Sequence, residues 1–111
     1  MGSIGKCLTW QTTLFGFMAD NMVRALSAAL KHNHFHETFV MIDADNKRWV
    51  MVTALLASKR RFLALNRDDA VKSMCDEVDE QGRRRFRLFT DIDGVQWINA
   101  LNRAERVSGL F

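Results

Sequence analysis

Apolar residues recur along this chain at two spacings. Met22, Leu26, Ala29 and Leu30 fall at helical intervals, and Val23 and Ala25 widen the stripe, which predicts a helix from Asp20 or Asn21 to about Lys31. Asp20 or Asn21 supplies the cap, Lys31 and His32 suit the negative end of the helix dipole, and Asn33 suits the exit. Before it, Leu14 to Met18 reads as a short buried strand. After it, Phe39-Val40-Met41-Ile42 is continuously apolar, which predicts a central strand covered on both faces. From Trp49 the pattern alternates: Trp49, Met51 and Thr53 face one way, Val50 and Val52 the other. A short strand giving way to a short helix through Lys59 fits this best; the competing reading is one helix from near Asp45.

The second half follows a similar plan. Phe62 to Leu65 reads as a strand. A helix from about Asp69 to Glu80 would carry Val71, Met74, Cys75 and Val78 on one face, and Gln81-Gly82 stops it. Its last turn is acidic, against the dipole. Arg83 to Thr90 alternates as a strand, Phe86 and Leu88 opposite Arg85 and Arg87. From Val95 a strand begins that turns helical in composition over 99–106, with Gly109 as its stop.

These parallels centre on one stretch that occurs twice. Asp43-Ala44-Asp45-Asn46-Lys47-Arg48-Trp49-Val50 is echoed 48 residues later by Asp91-Ile92-Asp93-Gly94-Val95-Gln96-Trp97-Ile98. Each copy follows an apolar run and pairs a polar turn with a Trp, as a chain leaving the core and re-entering it would. At the same offset Asp20 meets Asp68, Val23 meets Val71 and Leu26 meets Met74. The expectation is an α+β fold, one domain spanning 1–111, with two similar strand–helix–strand–strand halves at 12–57 and 60–105. The halves would pack as a pseudo-twofold unit around antiparallel sheet. An alternating α/β arrangement is the runner-up, should the segments after Asp45 and Asp93 be helical throughout.

Composition supports an ordered domain: 111 residues, 48% hydrophobic, with eight Phe, three Trp and six Met. Cys7 and Cys75 are distant and lack motif spacing, so free thiols in a reducing cytoplasm are expected. The N-terminal residues lack a signal-peptide core, and no apolar stretch is long enough to span a bilayer, so no membrane partner is expected.

The Asp-x-Asp turns resemble calcium loops only superficially. Counting from Asp43, loop positions 5 and 12 are Lys47 and Ala54; from Asp91 they are Val95 and Asn102. Neither set supplies the required ligands, so turn chemistry is the better reading. His32, His34 and His36 alternate, and in an extended segment would share a side, but no fourth ligand stands near. No catalytic group, metal or cofactor is therefore assigned, and an enzyme is not expected.

Charge carries the functional expectation. The net charge is only +3, but basic residues cluster at Lys59-Arg60-Arg61 and at Arg83, Arg85 and Arg87. In an extended strand the latter three would share a face at a pitch of roughly 6.5–7 Å, suited to a phosphate backbone, with Trp or Phe nearby to stack on bases. The competing reading pairs these Arg with the acidic helix Asp68–Glu80. The expected function is a small non-catalytic accessory or regulatory binding protein. Its basic strand face would engage a macromolecule, either nucleic acid or an acidic protein surface. The alternative is a protein-interaction or inhibitor module, a homodimer closed by an apolar patch including Trp10, Leu110 or Phe111.

Overall fold

The computed structural model describes residues 18–106. All of the predicted strand at Leu14 to Met18 except Met18 itself, and Cys7, Trp10, Leu110 and Phe111, lie outside them. Helix α1 (Asp20–His32) buries Val23, Ala25, Leu26, Ala29 and Leu30, the stripe read from the sequence, while Ala19 rather than a polar side chain stands at its N-cap. A 3-10 turn (Glu37–Phe39) leads into strand β1 (Val40–Ile42). Strand β2 (Arg48–Met51) passes directly into helix α2 (Val52–Ala57), so the strand-then-helix reading of this segment holds. Two further helices follow, α3 (Arg60–Leu63) and α4 (Arg67–Asp76), then strands β3 (Phe86–Thr90) and β4 (Gln96–Ala100) and a 3-10 turn (Arg103–Glu105).

The four strands form one antiparallel sheet in the order β1-β2-β4-β3. This is a small α+β domain, and the alternating α/β arrangement does not occur. Val50, Ile98, Phe86 and Ala100 join Leu26, Leu30, Leu55, Phe62, Val71 and Met74 in a single core, so the helices lie on the face to which those strand residues point.

Several expectations need correction. The apolar run at 39–42 is an edge strand, not a central one covered on both faces, and Ile42 is 56% exposed. Residues 62–65 are not a strand: Phe62 is fully buried from the short helix α3. Helix α4 starts at Arg67, with the Asn66 side chain accepting from the Asp69 amide (3.1 Å), and ends at Asp76 rather than Glu80. Asn99 and Ala100 continue β4, and the helix read over 99–106 shrinks to one 3-10 turn with a capping box between Asn102 and Glu105. Within the described residues, both halves contain helix, strand, turn and strand in order, but α2 and α3 intervene between them.

Candidate functional site

Three turns of the domain are built alike, each by one aspartate. In the β1–β2 turn Asp43 Oδ1 accepts from the amides of Asp45 (2.8 Å) and Lys47 (2.9 Å), and Asp43 Oδ2 accepts from Trp49 Nε1 (2.8 Å). In the β3–β4 turn Asp91 Oδ1 accepts from the amides of Asp93 and Val95 (both 2.9 Å), and its Oδ2 from Trp97 Nε1 (3.1 Å). Between α4 and β3, Asp79 Oδ1 accepts from the amides of Gln81 and Arg83 (both 2.9 Å), but its Oδ2 takes Arg83 and Arg106 instead of an indole. The fourth residue of each turn has positive φ: Asn46 (63°), Gly94 (82°) and Gly82 (75°). This is Asx-turn chemistry, and it accounts for the Asp-x-Asp spacing without a cation.

The carboxylates respond to these donors. The Trp49 indole, then the Lys47 amide, lowers the Asp43 pKa; the Trp97 indole, then the Val95 amide, does the same for Asp91. The Arg83 amide leads a set of donors that holds Asp79 at about 2.

Each Asp–indole bond fixes a Trp on the sheet face turned away from the helices. The register places Trp49 opposite Met41, and Trp97 opposite both Met51 and Phe89. Trp49 and Phe89 meet edge to face at 6.3 Å, and the Arg87 guanidinium lies 5.1 Å from the Trp49 ring centre. Trp49 is 8% exposed and Phe89 45%, while Arg87 is exposed. An exposed cation and ring beside two fixed indoles can pair with a phosphate and stack on a flat ring.

The predicted basic residues are not gathered into one row. The strand begins at Phe86, so of Arg83, Arg85 and Arg87 only Arg87 lies in the ladder. Arg83 is drawn back to Asp79 at 3.2 Å. Arg85 is half-buried and its charge acts on Glu77 and Lys31, whereas that of Arg87 acts on Asp43. Lys59, Arg60 and Arg61 are exposed around the start of α3, with Arg61 5.9 Å from the Phe62 ring. No ion pair, hydrogen bond or ring contact among the described residues joins them to Arg87. The acidic segment is partnered only in part: Lys72 pairs with Asp76 (3.2 Å), Arg83 and Arg106 with Asp79, and Arg103 lies 3.9 Å from Glu80.

His32, His34 and His36 are exposed, and His36 Nδ1 lies 2.8 Å from Thr38 Oγ1. Among the described residues no three His, Cys, Asp or Glu side chains gather as metal ligands. Burial pushes the half-buried Cys75 thiol up. No helix among these residues is long and apolar enough to cross a membrane. Sequence reasoning missed the Asp–indole bonds, although Asp precedes Trp by six residues in both turns, and it missed the third turn, which has no Trp. No protein-family model matches the chain, and neither does any curated protein or solved structure with which it was compared.

Proposed function

We propose that this chain is a small non-catalytic binding protein that engages a polyanion, single-stranded nucleic acid, through the sheet face carrying Arg87, Phe89, Trp97 and Trp49. The observation that carries this reading is the exposed Arg87 stacked over an anchored Trp49 beside the exposed Phe89. Bases stack on such rings without sequence preference, and the cation attracts the backbone. Lys59, Arg60 and Arg61 add charge nearer α3, while Arg83, paired with Asp79, and the half-buried Arg85 contribute at longer range. Titrating the protein with a homopolymeric oligonucleotide should quench Trp fluorescence. The affinity should fall with added salt by a log–log slope of roughly −0.7 per phosphate contact. The double substitution Arg87→Ala, Phe89→Ala should weaken binding at least tenfold without unfolding the domain. Binding that ignores salt, or that the double variant retains, refutes this reading.

One observation favours the alternative, a protein-interaction module. Phe39 and Ile42, at the edge strand β1, are 41% and 56% exposed, and an unpaired strand edge accepts another strand. A mass that rises with protein concentration, and returns to the monomer in Ile42→Lys, would support it.

We also propose that the two helix–hairpin segments are copies of one unit. Supporting this are the matched turns and the pairing of Val50 with Ile98, residues that the 48-residue offset makes equivalent. Replacing residues 43–50 by the sequence of 91–98 should then give a folded protein.

A further inference from the structure

At the C-terminal end of α1 a cleft of about 460 Å³ opens where β4 leaves β2, among Lys31, His32, Lys47, Arg48, Asn99 and Glu105. Its charges do not balance. The lining carries three cations, Lys31, Lys47 and Arg48, against one carboxylate, Glu105, and that carboxylate is bound by Lys47. The carbonyl end of α1 would repel an anion, but Arg48 covers it, donating to the Leu30 and Asn33 carbonyls. Lys31 has no ion-pair partner among the described residues. Its neighbours are cations: burial first, then the charges of Arg106 and Arg85, lower its pKa.

One residue of the lining carries a buried polar atom without a partner. Asn99 is 7% exposed; its Nδ2 donates to the Arg48 carbonyl at 2.9 Å, which leaves its Oδ1 with no donor. Orphaned groups of this kind are uncommon in a native fold and cost stability unless something answers them.

We infer that this cleft binds a small phosphomonoester, with its phosphate against Lys31. A phosphomonoester carries about −1.5 to −2 at neutral pH. That matches the lining's surplus once the helix end is allowed its roughly half charge. The volume lies in the range of small-molecule sites. Asn99 stands opposite Arg87 in the β3–β4 ladder, so the two surfaces adjoin there, but Lys31 and Lys47 belong to the cleft alone.

The test is calorimetric titration of the full chain, backed by amide NMR shifts, with a nucleoside monophosphate, the parent nucleoside, inorganic phosphate and acetate as probes. The monophosphate should bind saturably, shift Lys31 and Asn99, and outbind acetate; the nucleoside should not bind. Lys31→Gln, a change at a half-exposed position, should keep the fold by circular dichroism and lose affinity at least tenfold. Lys72→Gln, which removes a positive charge outside the lining, should leave the affinity unchanged. Binding at the same strength in Lys31→Gln, equal binding of the nucleoside, or no saturation at concentrations of about 10 mM overturns the inference.

Discussion

Arg48 should be worth more to this fold than a part-exposed charged residue usually is. Helix α1 ends at Asn33 in extended rather than left-handed backbone (φ −75°, ψ 151°), so the turn that normally satisfies a helix's last carbonyls is absent. Arg48 takes its place from the first residue of β2. Its Nε donates to the Leu30 carbonyl at 3.2 Å and its Nη1 to that of Asn33 at 2.9 Å, while Nη2 reaches Ala29 and again Leu30. The guanidinium also lies 5.6 Å from the Phe35 ring centre. A hydrogen bond to a charged group is worth roughly 1.5–3 kcal/mol, and a cation at a helix end adds about 0.3–1. These terms overlap, so Arg48→Ala should cost about 2–4 kcal/mol, a Tm drop of about 10–25 °C in a domain of this size. Arg48→Lys keeps the charge but loses the planar fork, and should cost about half as much. Urea melts followed by far-UV circular dichroism measure both. A loss below about 0.5 kcal/mol in Arg48→Ala, or a Lys variant indistinguishable from wild type, refutes the reasoning.

Trp49 is 8% exposed, so Trp49→Ala should cost about 3–5 kcal/mol in urea melts, and Trp97→Ala, half-buried, clearly less; a loss under about 1 kcal/mol for Trp49 would place its ring outside the packing. Acid should destabilise the fold: Asp79 is held at about 2, and Asp43 and Asp91 are also lowered, against an ordinary 3.8. Over that window the unfolded chain binds more protons, so stability present above about pH 5 is lost as pH falls toward about 2. The urea midpoint should track this and flatten in Asp79→Asn; burial raises Glu77, which acts in the opposite sense and trims the slope. Gly94→Ala should cost about 1 kcal/mol through backbone alone, because φ there is +82° and nothing stands within 4 Å of an added Cβ.

What the sequence made legible was local. The stripe in α1 and the two hairpin turns are read directly because each side chain answers to its own neighbours in the chain. What it hid was where each element lies. Phe39 to Ile42 is as apolar as a central strand, yet its place at the edge is set by β2 pairing on its other side with β4. The apolar run Phe62 to Leu65 is too short for periodicity to separate strand from helix. One error was avoidable: Asn102 and Glu105 stand three apart as a capping box, which marks a helix start and argues against a helix already running at Asn99. The Arg row failed for a related reason. Alternation of Phe86 and Leu88 predicts a shared face for Arg85 and Arg87 only while the chain is in the ladder, and Arg85 is just outside it.

The third aspartate turn bears on how the internal likeness should be weighed. Asp79-Glu80-Gln81-Gly82-Arg83 reproduces the carboxylate-to-amide bonds and the positive φ of the other two, yet it connects different elements and fits no 48-residue offset. The turn by itself is thus a local solution that a chain can reach repeatedly: one carboxylate satisfies two amides that a tight reversal would leave exposed. Likeness of turn sequence alone is then weak support for duplicated halves. The informative features are those the third turn lacks. In the two sheet turns the second carboxylate oxygen holds an indole, and that bond sets which sheet face carries the rings. At Asp79 the same oxygen holds Arg83 and Arg106. One turn design therefore serves two ends, fixing aromatic rings on the sheet face and tying down the chain at both Arg83 and Arg106.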